Sequence, residues 1–299
     1  MRLFVPAGIN HLQWNTYTEA GGLDLTCITF TSVGPVPLDV ALGLPGTPIT
    51  TGPPTAWTGC QLPDGTTFAA GAPVGFGPPP PSLEIPVTGP AILSWENWSQ
   101  SDWHWLETRL DGTDWPATPL SDWPPTGQPI RWAVTIPAGQ HQFRFSVSDW
   151  FNQLGEVNTI GGVTITPLAA AYAGWHPPYP YYPPGTIFPA PLPTVDYDQD
   201  GLTSLEEYAW QTDPYTRSLP PQPLTAIEGD HLTLCLPAHR PASDGVRVFF
   251  ETSSDLTTWQ RAAAELLPAP PPGQVKYRLT APLSAASRLY VRTGVEFVE

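Results

Sequence analysis

Proline is the residue that most constrains what this chain can fold into. It occurs 41 times among 299 residues and is found throughout the sequence. Because proline fixes φ and has no N–H to donate, this density forbids long helices and favours short strands separated by many turns. Hydrophobic residues still make up 41% of the chain, including 13 tryptophans, which is too apolar for a disordered protein. The composition therefore predicts an all-β protein.

The chain is strongly acidic, with a formal net charge of −15 and a single lysine, Lys276. Nucleic acids and anionic membranes require a basic surface, so the charge excludes both as partners and leaves cations, neutral glycans and proteins. No apolar run reaches the roughly 18 residues that span a membrane. The first residues lack the basic-then-apolar order of a signal peptide. We therefore expect that an export signal has been removed or that the sequence is part of a longer one.

The three cysteines, Cys27, Cys60 and Cys235, lack the spacing of a metal site. One disulfide with one free thiol and three buried thiols are both compatible with the sequence.

An internal repeat begins part-way through a unit. The stretch VPAGINHLQW from Val5 matches IPAGQHQFRF from Ile136, and CITFTS from Cys27 matches GVTITP from Gly162. Each copy has the pattern of a turn, an alternating strand, a loop and a second strand. Residues 1–34 are therefore expected to be the terminal strands of an incomplete repeat.

Two interpretations of residues 1–34 stay open. In the first, the half-repeat reflects an incidental boundary of the chain, or it packs on the sandwich that follows. In the second, its strands pair with a neighbouring chain, because unpaired edge strands are templates for strand addition. Head-to-tail addition that does not close produces a filament.

Residues 35–167 carry the strand patterns of one sandwich. Leu83, Ile85 and Val87 alternate with other residues in SLEIPVTGPAILSW, and LETRLDG ends in an Asp-Gly turn. This alternation is typical of antiparallel sheets with one solvated face. Together with LDVALGLPG and IPAGQHQFRFSVSD, these stretches resemble a jelly-roll module of secreted and surface bacterial proteins, related to MAM and concanavalin-like adhesin domains. The resemblance implies a jelly-roll β-sandwich from a group that includes glycan-binding and adhesive modules.

Tryptophan is concentrated between residues 95 and 123. Trp95 follows Leu93 in an apolar strand and is expected in the core. Four other tryptophans are candidates for binding a ligand or a partner, namely Trp98, Trp103, Trp105 and Trp115. An exposed indole stacks on the apolar face of a sugar, and it equally anchors a protein interface. Glycan binding, a protein interface and ordinary packing therefore all stay open for these side chains.

Residues 168–194 form a break in composition, dense in proline and aromatic residues, as in GWHPPYPYYPPG. Prolines at this density favour the extended polyproline II conformation, which acts as a semi-rigid spacer. We expect a linker here, with aromatic side chains able to hold it against a domain or another chain.

The stretch DYDQDGLTSLEE has the spacing of a calcium-binding loop. Such a loop has side-chain oxygens at positions 1, 3 and 5, glycine at 6, a carbonyl at 7, a water-holding group at 9 and a bidentate glutamate at 12. These ligand positions are filled by Asp196, Asp198, Asp200, Leu202, Ser204 and Glu207. Crowded oxygen ligands with a bidentate carboxylate favour Ca²⁺ over Mg²⁺.

The wider segment, residues 195–215, resembles the EF-hand-like loops of dockerins and thrombospondin type 3 repeats. The pattern predicts a calcium loop followed by one short helix. An EF-hand that opens as a regulatory switch works as a pair of loops, whereas this sequence contains one. We therefore expect calcium to act as a structural brace between the linker and the domain that follows.

Residues 216–299 return to strand patterns, such as the alternation of Leu232, Leu234 and Leu236 in HLTLCLP. The stretch FETSSDLTTW resembles a small β-sandwich that often follows the calcium linker in secreted bacterial proteins. The fold prediction is thus a jelly roll and a smaller C-terminal sandwich, joined by the proline-rich linker and the calcium loop.

Motifs of known catalytic sites are missing from the sequence, including the nucleophile elbow, the zinc pair, the Walker loop and the dinucleotide fingerprint. We therefore do not expect an enzyme. The sequence predicts an extracellular or cell-surface protein that is braced by calcium and serves a structural or adhesive role. If the strands of residues 1–34 pair with a neighbouring chain, the protein would be a subunit of a surface fibre. The alternative is a carbohydrate-binding accessory module that uses the exposed tryptophans.

Overall fold

The computed structural model describes residues 34–52, 57–62, 64–71, 81–98, 105–120, 129–148, 159–177, 188–268, 270, 272–285 and 288–298. Strands dominate these residues, and the prediction of an all-β protein is confirmed. Residues 1–33 of the predicted half-repeat 1–34, including Cys27, lie outside the described residues. No described helix is both long and apolar enough to cross a membrane. The chain divides into two compact units.

Unit 1 contains the described residues up to Thr88, together with Leu93–Ala133 and Gln140–Ile165. Most residues of a ten-stranded sheet belong to this unit. The elements are β1 (Gly34–Val36), α1 (Leu38–Leu42), β2 (Thr50–Gly52), β3 (Trp57–Gln61), β4 (Thr67–Gly71), β5 (Ser82–Trp98), β6 (Trp105–Leu110), β7 (Thr113–Asp114), β8 (Thr118–Pro119), β9 (Ile130–Ser148) and β10 (Thr159–Pro167). The strand order is β1-β3-β4-β10-β5-β9-β6-β7, with β2 paired to β5 and β8 paired to β9. Short stretches of β5, β9 and β10 are counted in unit 2.

The core of unit 1 follows the alternation predicted for β5. Leu83, Ile85 and Val87 are buried, and so is Trp95, as expected. The Trp95 ring packs against two phenylalanines of β9, with centroid distances of 5.8 Å to Phe143 and 5.0 Å to Phe145. Large aromatic side chains on alternate positions of neighbouring strands thus fill one face of the sheet.

Unit 2 contains Gly89–Ile92, Val134–Gly139 and Thr166–Glu299. Two short helices come first, and two antiparallel sheets with the strand orders β11-β12-β16-β15 and β14-β13-β17 follow. The elements are α2 (Ala170–Ala173), α3 (Ser204–Trp210), β11 (Leu224–Glu228), β12 (His231–Pro237), β13 (Val246–Ser253), β14 (Gln260–Ala262), β15 (Ala264–Leu267), β16 (Gln274–Leu279) and β17 (Tyr290–Phe297), with 3₁₀ turns at Ala242–Asp244 and Leu283–Ala285.

The two sheets of unit 2 share one hydrophobic core. Leu234 and Leu236 from the four-stranded sheet are buried in the same cluster as Val248 and Phe250 from the three-stranded sheet, and Trp210 of α3 joins them. The two sheets thus form a small β-sandwich, in agreement with the fold prediction.

The described parts of the proline-rich segment are packed rather than free. Tyr172 is fully buried and lies in a cluster with Leu168, Ala190, Tyr208 and Val246. Its hydroxyl donates a hydrogen bond to the carbonyl of Pro191 at 3.0 Å. Aromatic burial thus makes this segment part of unit 2, together with the calcium-type loop and the sandwich, and the predicted boundaries at 194 and 215 do not separate compact bodies.

We predict that Gly89→Ala destabilises the protein by about 1–3 kcal/mol, because the backbones of β5 and β9 approach too closely for a side chain. A Cβ atom at position 89 would lie 1.8 Å from the carbonyl oxygen of Pro137. Gly174→Ala is the control, since its nearest neighbour would be at an ordinary 3.6 Å. Chemical denaturation measures both, and equal midpoints for the two variants would contradict this account of the close approach.

Candidate metal centre

The candidate loop, residues 196–207, follows the proline-rich segment and ends in the first turn of α3. Its two ends are held together by Ser204, whose backbone N–H and hydroxyl both donate to the carbonyl of Val195 at 2.9 Å. Gln199 and Gly201 adopt positive φ angles of 61° and 95°. Glycine is favoured at such a position, which explains why the loop pattern requires glycine at its sixth residue.

The loop turns its backbone N–H groups toward its own aspartates. Asp196 Oδ1 accepts a hydrogen bond from Gln199 N–H at 2.8 Å, and Asp196 Oδ2 accepts one from Gly201 N–H at 2.9 Å. The Asp200 N–H lies 3.2 Å from Asp198 Oδ1. As a result, Asp196, Asp198 and Asp200 each offer a carboxylate oxygen within 4.8 Å of the others. The structure therefore brings together the first three predicted ligands.

Glu207 is the fourth carboxylate, in the first turn of α3. The helix begins with a capping box, in which the Thr203 hydroxyl and the Glu206 carboxylate each accept a backbone N–H of the other residue. Glu207 is 0% exposed, and its Oε1 accepts a 3.4 Å hydrogen bond from the Thr212 hydroxyl. Glu207 is not part of the 4.8 Å group of aspartates.

Two carboxylate oxygens at this loop are buried without a hydrogen-bond partner, Glu207 Oε2 and Asp198 Oδ2. Burial, followed by the charges of Asp198 and Asp200, raises the pKa of Glu207 to about 8. Burial and the charge of Asp200 also raise the pKa of Asp198. A buried carboxylate without a partner is costly, and a cation is one of the few groups that satisfies it. The arrangement is therefore chemically suited to holding a hard metal ion.

The other two predicted ligand residues, Leu202 and Ser204, are both buried. Leu202 is 5% exposed, and it is its backbone carbonyl that the pattern assigns to the ion. Ser204 is 0% exposed, and its hydroxyl donates to Val195 as described above. Ser204 thus has a loop-closing role that the spacing did not predict.

A segment beyond the predicted loop completes it. Ser218 donates to Asp200 Oδ2 through its backbone N–H at 2.7 Å and through its hydroxyl at 2.9 Å. Arg217 Nε donates to the carbonyl of Asp198 at 2.8 Å. Burial alone would raise the pKa of Asp200, but these Ser218 bonds, one from Leu202 and the charge of Arg217 lower it below the ordinary value. Sequence reasoning missed Ser218 and Arg217, because the loop pattern ends at Glu207.

The tryptophan candidates fare differently. Trp115 is only 7% exposed, so the structure contradicts its assignment as an exposed ligand or interface residue. It follows the β6–β7 turn, and its backbone carbonyl accepts a 2.6 Å hydrogen bond from the Thr108 hydroxyl. Trp103 lies outside the described residues. Trp98 and Trp105 are the end of β5 and the start of β6, and their side chains lie outside the described part of the structure.

Comparisons with known proteins do not assign a function to this chain, so the functional proposal rests on the loop. No family model matches the chain, and no curated protein matches it. A solved structure of a Paenibacillus sp. cycloisomaltooligosaccharide glucanotransferase complexed with cycloisomaltoheptaose is 11% identical, with a TM-score of 0.28. The alignment covers 78% of this chain and 42% of that chain, so this chain spans less than half of that enzyme. A similarity this weak carries no argument about fold or activity.

In the presence of a chelator, we predict that the protein loses stability as the pH rises. The pKa of Glu207 is about 8 in the folded chain and 4.5 ordinarily, so its contribution to the free energy of unfolding is full below pH 4.5 and is lost as the pH rises through about 8. The slope is at most about 1.4 kcal/mol per pH unit. Urea denaturation between pH 5 and about pH 9 measures it. Glu207→Gln should flatten this dependence and Glu206→Gln should keep it; the same slope in all three proteins would contradict the assignment.

Proposed function

We propose that residues 196–207 bind one calcium ion and that the ion braces unit 2. The ligands are carboxylates of Asp196, Asp198 and Asp200, the carbonyl of Leu202, a group at Ser204 that acts directly or through water, and the bidentate carboxylate of Glu207. The observation that carries the proposal is the fully buried Glu207, whose Oε2 has no hydrogen-bond partner and whose carboxyl group is subject to the charges of Asp198 and Asp200.

Calcium suits this set of groups better than other common cations. Oxygen donors alone select a hard cation over zinc or copper, which favour nitrogen and sulfur. A bidentate glutamate and six or more oxygens fit the larger, flexible coordination shell of Ca²⁺, whereas Mg²⁺ demands a compact octahedron and retains its water.

A bracing role is supported by what the loop is attached to. Glu207 is followed in α3 by the buried Tyr208 and Trp210. Tyr208 packs in the cluster of Tyr172, and Trp210 packs in the core of the sandwich. An ion that fixes Glu207 therefore also fixes the helix from which both clusters are built. Because it binds only the folded loop, it adds stability by mass action.

The wider role that we propose is that of an extracellular or cell-surface protein with a structural or adhesive function. Calcium is abundant outside cells, where a site of the extracellular-module type with millimolar affinity would be filled. An ion that stabilises α3, which joins the aromatic cluster to the sandwich core, would help the protein to stay folded outside the cell, where no intracellular chaperones act on it. Solid-phase adhesion assays on the full chain, with calcium and with chelator, test this role; adhesion or assembly that is indifferent to calcium would contradict it.

We predict that calcium raises the melting temperature of the protein by about 5–10 °C at 100 times its dissociation constant, which corresponds to about 2.7 kcal/mol. Calorimetry with calcium and with chelator measures the shift. Glu207→Gln removes one ligand charge and should abolish the shift. Glu206→Gln is the matched control, because glutamine still serves the capping box and position 206 is not a ligand. Melting curves of the wild-type chain that are identical in calcium and chelator would contradict the site.

We also predict that calcium binding near pH 7 releases about one proton per ion. The pKa of Glu207 is about 8 without the ion, so this group is mostly protonated at pH 7 and has to lose its proton to become a ligand. Isothermal titration calorimetry in buffers of different ionisation enthalpy counts the protons. Affinity should consequently rise with pH up to about 8, and binding without proton release would show that Glu207 is not a ligand.

A further inference from the structure

Strand β17 is the longest edge strand in the described part of the structure. It has eight residues and pairs along its whole length with β13, from Val246 opposite Phe297 to Ser253 opposite Tyr290. It is at the edge of its sheet, where the order is β14-β13-β17. It contains no proline, and the described residues provide no backbone partner on its other side.

Other edges of the described sheets are shorter or protected. Strands β1, β7, β14 and β15 have two to four residues each. Strand β11 has five and follows the proline-rich stretch PPQP at residues 220–223. Short edges and proline are devices that prevent strand addition. Strand β17 lacks both, which marks it as a surface where another strand can add.

The sequence of β17, YVRTGVEF, is complementary to itself when read in the opposite direction. If two copies pair antiparallel with Gly294 opposite Gly294, Arg292 of each copy faces Glu296 of the other. In the same register Val291 faces Phe297 and Thr293 faces Val295. Opposite charges and apolar or β-branched residues in directly opposed positions are the pairs that stabilise antiparallel sheets.

Two ion pairs already join β13 and β17 within one chain. Within one chain, Arg247 of β13 lies opposite Glu296 and pairs with it, at 3.0 Å from Arg247 Nε to Glu296 Oε1. Arg292 lies opposite Glu251 and donates to it at 2.7 Å.

Joining two copies at β17 therefore gives a row of alternating charge across four adjacent strands. It runs from Arg247 to Glu296 in one copy and from Arg292 to Glu251 in the other. A second row is generated by the two-fold symmetry, and no like charges are directly opposed.

Gly294, at the centre of the proposed contact, has no side chain that would hinder the close approach of a second β17 strand. Gly294 carries no side chain because the Phe249 ring occupies that space, 2.4 Å from where a Cβ atom would lie. The side chains at the contact remain partly accessible in the single chain, with exposures of 52% for Arg292 and 27% for Glu296.

We propose that β17 is a dimerisation edge, at which a second copy of this chain adds its own β17 antiparallel about a two-fold axis through Gly294. The product is a continuous six-stranded sheet. Such a contact is closed, because each copy uses the same edge, and it yields dimers rather than filaments. This dimer contact involves neither the candidate calcium loop, residues 196–207, nor residues 1–34. Its test is therefore independent of the proposals made for those two segments.

The first test is the mass of the purified full chain by light scattering and sedimentation over a range of concentrations. The wild-type chain should be in a monomer–dimer equilibrium. Arg292→Glu places one glutamate opposite Glu296 of the partner at each of the two symmetry-related positions, and this repulsion should weaken dimerisation about tenfold or more. Arg278→Glu is the matched control, since it removes the Arg278–Glu265 pair of the other sheet, with the same change of charge. It should dimerise like the wild type. A monomeric wild-type chain at every concentration, or equal dimerisation of both variants, would overturn the proposal.

The second test fixes the register by cross-linking. In the proposed dimer, Tyr290 of one copy lies opposite Val298 of the other, whereas the two Tyr290 residues are separated by about 27 Å along the strands. Tyr290→Cys mixed with Val298→Cys should therefore give a disulfide-linked heterodimer under mild oxidation, and neither variant alone should cross-link through the new cysteine. Calorimetric melting confirms that both variants are folded. The absence of the heterodimer in the mixture of folded variants, or cross-linking of each variant alone, would refute the register.

Discussion

Unit 2 depends on how four carboxylates in one small loop are neutralised. Two charges of the same sign at 4.8 Å repel each other by about 3–4 kcal/mol at the effective dielectric of a protein surface. The backbone N–H groups of Gln199 and Gly201 satisfy Asp196, and Ser218 satisfies Asp200. Asp198 and Glu207 keep a buried oxygen without a donor. The cation that we propose for this loop would balance the charge that its donors leave unsatisfied.

The loop lies in the chain between the proline-rich segment and the sandwich strands of unit 2. Upstream, the proline-rich segment contributes Tyr172 and Ala190 to an aromatic cluster. Downstream, α3 contributes Tyr208 to that cluster and Trp210 to the sandwich core. The chain then returns through Ser218 to bind the loop again before β11 begins. The stability of the cluster and that of the sandwich are therefore coupled through the same few residues.

Local patterns predicted the parts that depend on neighbours in sequence. The alternation of Leu83, Ile85 and Val87 identified a strand because burial on one sheet face has a period of two. The spacing of Asp196, Asp198 and Asp200 correctly predicted that their carboxylates lie close together. Contacts between distant residues were missed. Prolines suggested a spacer, yet Tyr172 is buried in a cluster with Tyr208 and Val246, and Trp115 is buried although it was a candidate for an exposed position. Burial of this kind is decided by tertiary partners that no local pattern contains.

The most direct test of the calcium brace is hydrogen exchange of the full chain, measured in calcium and in chelator. If the ion closes the loop as described, calcium slows exchange at Gln199, Gly201 and Ser218, whose N–H groups bond to the aspartates, and slows α3 together with them. Exchange rates in residues 196–218 that are the same with calcium and with chelator would contradict the account.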